Sequence, residues 1–186
     1  MSITDVNVYV SIIIEKNVWE FYEENDERYR MFAWKKTLKG VLMNDGNIFV
    51  TDGRHCYNCD PIKRVIKEIT QPPQSFWYRL EDYSSVVLPS GNILVSGGKR
   101  IQDPDEIEVC KECAIYNPMT DTWDLNILCM NKYRSNIYSV LLSSKVFVFD
   151  NKYDELRNEL NPDDLYFDVL DLTSNVWTTH PLLGIQ

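Results

Sequence analysis

Residues 88–98 read LPSGNILVSGG, and this stretch decides the fold. The apolar run 86–88 leads into a Ser90-Gly91 turn, and a second apolar run follows and ends at the Gly97-Gly98 pair. Glycine at such turns tolerates the positive φ that tight hairpin loops need. The stretch therefore predicts two short antiparallel strands joined by a tight turn.

The same unit occurs twice more along the chain. The segments 47–53 and 145–151 align with 92–98, at intervals of roughly 50 residues, and each follows an apolar run and a polar turn. A second strand pair carries a Trp in each unit: Trp123 in the middle unit, Trp177 in the last, and Trp77 after 65–69 in a weaker first copy. Four short strands per unit are predicted.

The middle unit resembles the kelch-repeat family. The residues that carry the resemblance are the di-glycine, a Tyr-x-Pro motif, a Trp and a Met…Arg pair: Gly97, Gly98, Tyr116, Pro118, Trp123, Met130 and Arg134. The flanking units have Asp52-Gly53 and Asp150-Asn151 in place of Gly-Gly. The resemblance implies an all-β fold, a kelch-like β-propeller segment of four-stranded antiparallel blades.

The repeat also predicts the organisation of the chain. A single kelch-like domain over 1–186 is expected, with blades at about 38–80, 84–128 and 137–180. The segment 10–19 aligns with 169–177, which predicts a half-blade over 6–22. Three and a half blades are fewer than the four or more of a closed propeller, so the propeller is expected to be incomplete as a single chain.

Eight residues define the repeat and are expected to build the blades. Indole rings fill the space between neighbouring sheets, and glycine lets a strand end turn where the backbone is crowded. These residues are Gly53, Gly97, Gly98, Tyr116, Trp19, Trp77, Trp123 and Trp177. A structural role is predicted for all of them.

Composition and charge exclude several classes of function. The 186 residues include 28 acidic and 19 basic side chains, a net charge of −9, which repels nucleic acid and anionic membranes. The sequence shows no signal-peptide pattern and no apolar run long enough to span a bilayer. Five cysteines, an odd number, predict a cytoplasmic or other reducing compartment. The composition, which is rich in Asn, Lys, Ile and Tyr, resembles that of kelch-like proteins of large DNA viruses. This resemblance implies a virion as the alternative location to a reducing compartment of the cell.

Two C-x-x-C pairs are candidate zinc ligands. Cys56 and Cys59 form the first pair, and Cys110 and Cys113 form the second. Both pairs are predicted to lie in the connection between the second and third strands of adjacent blades, which would project them from the same side. In that arrangement they would supply the four thiolates of a tetrahedral structural zinc site. The alternative is that all four are reduced cysteines without metal.

Support for catalysis is small. His55 and His180 are the two histidines, and the sequence contains no metalloprotease, nucleophile-elbow or nucleotide-binding motif. A non-enzymatic role is therefore expected. The alternative is a remnant or subunit of a propeller enzyme acting on a carbohydrate-like substrate, with Asp, Glu, Tyr and Arg side chains converging on the central channel.

The expected function is protein–protein interaction or scaffolding. Polar inter-strand loops at 23–30, 103–108 and 154–164 are candidate contact sites, because loops on a rigid scaffold commonly bind partners. An arc of blades also leaves apolar sheet faces uncovered at an open edge. The predicted partner is a protein, in a homo-oligomer or a hetero-assembly that closes the propeller.

Overall fold

The computed structural model of the chain describes seven segments with side chains and a few others by backbone alone. The segments with side chains are 39–51, 55–63, 65–73, 80–101, 106–126, 129–149 and 166–182. The backbone alone is described at 9–13, 18–22, 102–103 and 150. Within these ranges the chain is all-β, and no helix is long and apolar enough to cross a membrane.

Fifteen strands form one hairpin and three larger antiparallel sheets within the described ranges. The hairpin pairs β1 (Tyr9–Ile13) with β2 (Val18–Tyr22). Sheet 1 contains β3 (Lys39–Leu42), β4 (Ile48–Thr51), β5 (Cys56–Asp60) and β6 (Val65–Glu68). Sheet 2 contains β7 (Leu80–Glu81), β8 (Ser84–Val87), β9 (Ile93–Asp103), β10 (Glu106–Asn117) and β11 (Thr122–Asp124). Sheet 3 contains β12 (Ile137–Leu142), β13 (Lys145–Asp150), β14 (Tyr166–Asp171) and β15 (Val176–Pro181).

The antiparallel four-stranded plan predicted from the sequence is confirmed, with one change of boundary. Residues 80–81 pair with β9 and belong to sheet 2, whereas the sequence placed residue 80 at the end of the first unit. The first strand of sheet 2 is thus split into β7 and β8, with Asp82 at a φ of 55° between them. Sheet 1 ends at Glu68.

The turn between the third and fourth strands shows that the three sheets are structural repeats. In each sheet a side-chain oxygen at the end of the third strand accepts hydrogen bonds from two backbone N–H groups of the turn. These residues are Asp60, Asn117 and Asp171. Such Asx turns fix the register of the hairpin locally, so the residues before them can be matched between sheets.

The cores lie between neighbouring sheets. We call the face of each sheet that packs on the following sheet its forward face, and the opposite face its rear face. Phe49 and Cys56 of the sheet 1 forward face pack with Ile93 and Val95 of the sheet 2 rear face. Leu94, from the sheet 2 forward face, packs with the sheet 3 rear-face residues Val146, Val148 and Trp177. Alternate residues of a strand serve the two faces, as the period of two requires.

The di-glycine lies inside a strand and does not end it, contrary to the prediction. Gly97 and Gly98 have φ values of 59° and 104°, and β9 continues to Asp103. A Cβ on Gly97 would lie 2.8 Å from the Arg134 carbonyl oxygen, and one on Gly98 would lie 2.6 Å from that of Glu81. The pair therefore allows a bend and two close backbone contacts within a continuing strand.

Candidate interaction surface

The forward face of sheet 3 is the candidate functional surface. Side chains at alternate positions of its strands point to this face, because successive residues of a strand alternate between faces. Cross-strand pairs place Tyr138 opposite Phe149, Val140 opposite Phe147, and Phe149 opposite Phe167. The result is an apolar face built from three adjacent strands.

Three phenylalanine rings form a cluster at the centre of this face. The ring centroids of Phe149 and Phe167 lie 5.4 Å apart, and those of Phe147 and Phe167 lie 6.1 Å apart. The His180 ring stacks on Phe167 with a centroid distance of 5.5 Å. Such aromatic pairs stabilise one another by about 0.5–1.5 kcal/mol beyond burial of their area. The cluster is therefore an ordered aromatic surface.

The equivalent positions in the other two sheets are fully covered. Phe147 corresponds to Phe49 of sheet 1 and Leu94 of sheet 2, both of which have 0% exposure. Phe147 itself is only half-buried. Val140 is 50% exposed, whereas its equivalent in sheet 2, Val86, is 9% exposed. The forward face of sheet 3 is thus the surface on which a following sheet would pack. Among the described residues, no sheet packs on it.

A depression of about 540 Å³ lies on the same face, next to an ion pair. Phe147, Phe167 and Val169 line its apolar side. On its polar side, the Lys145 Nζ lies 3.7 Å from the Asp171 carboxylate. Hydrogen bonds from the Ser174 and Thr173 backbone N–H groups hold the pKa of Asp171 below its usual value. The two opposite charges offset each other, so the face carries little net charge.

The rear face of sheet 1, at the other end of the array, is also incompletely covered. Ile48 and Val50 are half-buried, and Leu42 is 45% exposed. Their equivalents in sheet 2 are Val87, which packs against the core between sheets 1 and 2, and Ile93 and Val95, which have 0% exposure. The described residues therefore present two unlike apolar faces, one at each end.

The four candidate zinc ligands lie in strands, which corrects the prediction that they lie in connections between strands. Cys56 and Cys59 belong to β5, and Cys110 and Cys113 belong to β10. Cys56 pairs with Thr51 and Cys59 with Ile48. Residues three apart on a regular strand point to opposite faces, so this pair is not arranged to share one metal ion.

The two C-x-x-C pairs are also out of register with each other. Cys113 pairs with Ser96 as Cys56 pairs with Thr51, which makes Cys56 and Cys113 equivalent. Cys110, at a bulge, packs in the core between sheets 1 and 2, while Cys113 packs in the core between sheets 2 and 3. Within the part of the chain that the structure describes, no three or more His, Cys, Asp or Glu side chains form a metal-binding group. Zinc binding stays a prediction that this geometry does not favour.

Burial keeps the strand cysteines in the thiol form. It raises the pKa of Cys56 to about 12 and that of Cys59 to about 11, and it also raises the pKa of Cys113. Burial outweighs the Arg100 guanidinium, whose Nε lies 3.1 Å from the Cys110 sulfur, so the pKa of Cys110 is raised as well. Reactive cysteines have lowered pKa values, so these four have the chemistry of core residues.

The repeat-defining residues that the structure describes hold neighbouring elements together. Tyr116 is buried and donates a hydrogen bond to Asp121 at 2.8 Å. The Trp123 indole N–H donates to the carbonyl oxygen of Thr70, in the segment just after sheet 1, at 2.8 Å, and Trp177 is buried between sheets 2 and 3. Gly53, Trp77 and the side chain of Trp19 lie outside the described residues.

In sheet 1, Ile66 occupies the position that Trp123 has in sheet 2 and Trp177 has in sheet 3. Cys59 pairs with Ile66 as Tyr116 pairs with Trp123 and Leu170 with Trp177. The sequence pattern predicts that 65–69 is the third strand and that Trp77 lies on the fourth, which is wrong. In the structure 65–68 is the fourth strand itself.

Two of the three predicted loops lie wholly outside the residues that the structure describes. The segments 23–30 and 154–164 lie in the undescribed ranges. The acidic segment 103–108 is largely strand, because β9 ends at Asp103 and β10 begins at Glu106. It is therefore an extended hairpin rather than an irregular loop.

The most deeply buried charges in the described residues bind each other. The Arg134 Nε lies 2.7 Å from the Asp168 carboxylate, and both side chains have at most 2% exposure. Thr179 donates a further hydrogen bond to Asp168. This pair has a structural role, and the alternative of a carbohydrate-active enzyme gains no supporting contact from it.

Comparison with known proteins bears on the fold alone. No protein-family model matches the sequence, and no curated protein matches it. Among solved structures the chain is similar to YjhT, with a TM-score of 0.60 and 14% identity over 79% of this chain and 51% of that one. The chain thus spans about half the length of YjhT. The class of protein that the sheets define is a β-propeller-like segment, and the similarity to YjhT, itself a β-propeller, confirms that class.

Proposed function

We propose that the chain is a non-enzymatic protein–protein interaction module that binds its partner through the forward face of sheet 3. The observation that supports this is the exposure of Phe147 and Val140, at positions where sheets 1 and 2 are covered by the following sheet. Contiguous exposed apolar surface of this kind marks interaction sites in proteins. Aromatic side chains are enriched at the centre of such sites.

Binding at this face is favoured by the free energy that is gained when its apolar surface is removed from water. Covering apolar surface contributes about 25 cal/mol per Å², and a stable interface covers about 800 Å² of each partner. The aromatic cluster of Phe147, Phe149 and Phe167 is already ordered by its own ring contacts. Binding therefore costs little side-chain entropy at the centre of the interface.

The proposal also includes the type of repeat and the cellular compartment of the protein. The kelch-like pattern of the middle unit supports a kelch-type module, and five free cysteines are compatible with a reducing compartment. The viral resemblance rests on composition alone and stays a prediction. The net charge of −9 favours protein partners over nucleic acid.

Site-specific photo-crosslinking tests the proposal. A photo-reactive phenylalanine analogue is placed at Val140, on the proposed surface, and as a matched control at Ile62, which is 90% exposed in a turn of sheet 1. Position 140 is expected to give a discrete crosslinked protein in cells that express the chain, and position 62 is not. A Phe147→Ser change in the same background should abolish the product. Equal crosslinking from both positions, or products insensitive to Phe147→Ser, would contradict the proposed surface.

A further inference from the structure

We infer that the forward face of sheet 3 binds the rear face of sheet 1 in a second copy of this chain. The inference rests on the proposed function and names its partner. Inside one chain, the forward face of sheet 1 already packs on sheet 2, and that of sheet 2 packs on sheet 3. A contact from sheet 3 to sheet 1 of another copy repeats the same packing once more.

Among the described residues, equivalent positions show that the two incompletely covered faces have complementary roles. On forward faces, the series Phe49, Leu94 and Phe147 runs from fully buried to half-buried. On rear faces, the equivalent series Val146, Ile93 and Ile48 also runs from fully buried to half-buried. The least buried member of the forward-face series lies in sheet 3, and that of the rear-face series lies in sheet 1, the last and the first of the three sheets. Elsewhere in the chain, forward faces contact rear faces. The incompletely covered forward face of sheet 3 and rear face of sheet 1 are therefore of the two kinds that pack together.

The chemistry of the two faces also matches. The rear face of sheet 1 offers Leu42, Ile48, Val50 and Ile66, which are exposed or half-buried aliphatic side chains. The same aliphatic types, Val146 and Val148 of sheet 3, cover Leu94 within the chain. On the opposing face, the Lys145–Asp171 pair is self-neutralising. On the rear face of sheet 1, the Glu68 carboxylate lies on the outermost strand, β6, and is exposed, so it can stay hydrated at the rim of the contact.

A contact between unlike faces is head-to-tail. Such heterologous contacts either close into a ring or extend into a filament, whereas a contact between two copies of one face would stop at a symmetric dimer. The head-to-tail arrangement therefore requires that damage to either face prevents assembly. It also requires that two chains, each damaged on a different face, can still form one good contact between them.

Sedimentation velocity on the purified full chain tests the inference. Val140→Glu damages the forward face of sheet 3, Leu42→Glu damages the rear face of sheet 1, and Ile62→Glu is the control for an added exposed carboxylate. Far-ultraviolet circular dichroism and thermal unfolding check that each variant is folded. Between about 1 and 100 µM, the wild type and Ile62→Glu are expected to assemble, and each face variant to assemble at least about tenfold more weakly.

The mixing experiment is the sharpest part of the test. An equimolar mixture of Val140→Glu and Leu42→Glu is expected to form a one-to-one dimer, because one intact face from each chain remains. A Leu42→Glu chain that assembles like the wild type would overturn the head-to-tail contact. A wild type that stays monomeric throughout would overturn the second copy as partner, while crosslinking from position 140 to another protein would still support the proposed function.

Discussion

Arg134 connects sheet 2 to sheet 3 through its ion pair with Asp168. Its backbone N–H donates to the Cys110 carbonyl oxygen at 2.9 Å, and its carbonyl oxygen accepts from the Gly98 N–H at 2.8 Å, both in sheet 2. Its side chain reaches the Asp168 carboxylate of sheet 3 at 2.7 Å. One residue therefore anchors the segment that joins the two sheets.

Replacing Asp168 with Ala is expected to destabilise the fold by about 3–5 kcal/mol, because removal of one partner leaves a buried charge without compensation. The matched control is Lys63→Gln, which breaks the Lys63–Asp60 pair on the surface, where the Lys63 side chain is 78% exposed. That change should cost far less, because an exposed ion pair is hydrated and screened by salt. Urea unfolding measures both, and similar losses in the two variants would show that the Arg134–Asp168 pair has no special structural role.

Gly97→Ala is expected to be much more destabilising than Gly46→Ala. Both glycines have positive φ, 59° and 85°, so both changes carry the same backbone strain of about 1–2 kcal/mol. A Cβ at Gly97 would also lie 2.8 Å from the Arg134 carbonyl oxygen, whereas one at Gly46 meets nothing within 4 Å. Overpacking should add about 1–3 kcal/mol. Equal urea midpoints for the two variants would contradict the close contact.

The Asp121 carboxylate is expected to make stability depend on acid pH. Hydrogen bonds from the Thr70 backbone N–H and the Tyr116 hydroxyl lower its pKa in the folded state. A lowered folded-state pKa contributes stability above the unfolded value of about 3.9, and this contribution is lost as pH falls through the folded value. The difference in urea midpoint between wild type and Asp121→Asn should therefore shrink as pH falls below about 4. A difference that is independent of pH would contradict this role.

Thiol labelling should divide the five cysteines into two groups. Cys129 is exposed, while Cys56, Cys110 and Cys113 are buried and have raised pKa values. A disulfide reagent at neutral pH is expected to modify one thiol quickly and the other four slowly. The three buried thiols should react at the rate of unfolding, and half-buried Cys59 through the small thiolate fraction that its raised pKa leaves. The Cys129→Ser variant should lack the fast phase. Fast modification of the strand cysteines would contradict their burial and would favour the zinc hypothesis.

The strands of sheets 2 and 3 could be predicted from the sequence because their apolar runs and Trp residues are strong signals. The third strand of sheet 1 was missed, because Cys56–Asp60 has neither β-branched residues nor a Trp partner. Its role is recognised only from pairing with β4 and from the Asx turn at Asp60. That error placed Cys56 and Cys59 in a connection. Cys110 and Cys113 were also placed in one, because the sequence does not show that β10 begins as early as Glu106.

The candidate surface could be predicted only in outline. The sequence shows continuous apolar runs at 140–142 and 146–149, and an incomplete array predicts an open edge. Both faces of these strands are apolar, however, so the sequence does not distinguish Val148, which is buried, from Phe147, which is not. That distinction depends on which face contacts a neighbouring sheet, a property of the tertiary structure.

The most direct test is oxidative footprinting of the chain by brief hydroxyl-radical labelling, in dilute purified form and inside the cells that express it. Phe147 and Phe167 should be oxidised in the dilute protein and protected several-fold in cells, where a partner covers them. Met119 and Tyr133, with exposures of 90% and 58%, should be oxidised in both. Protection of the two phenylalanines alone is the predicted result, and equal oxidation of all four residues in both settings would contradict an interaction surface on sheet 3.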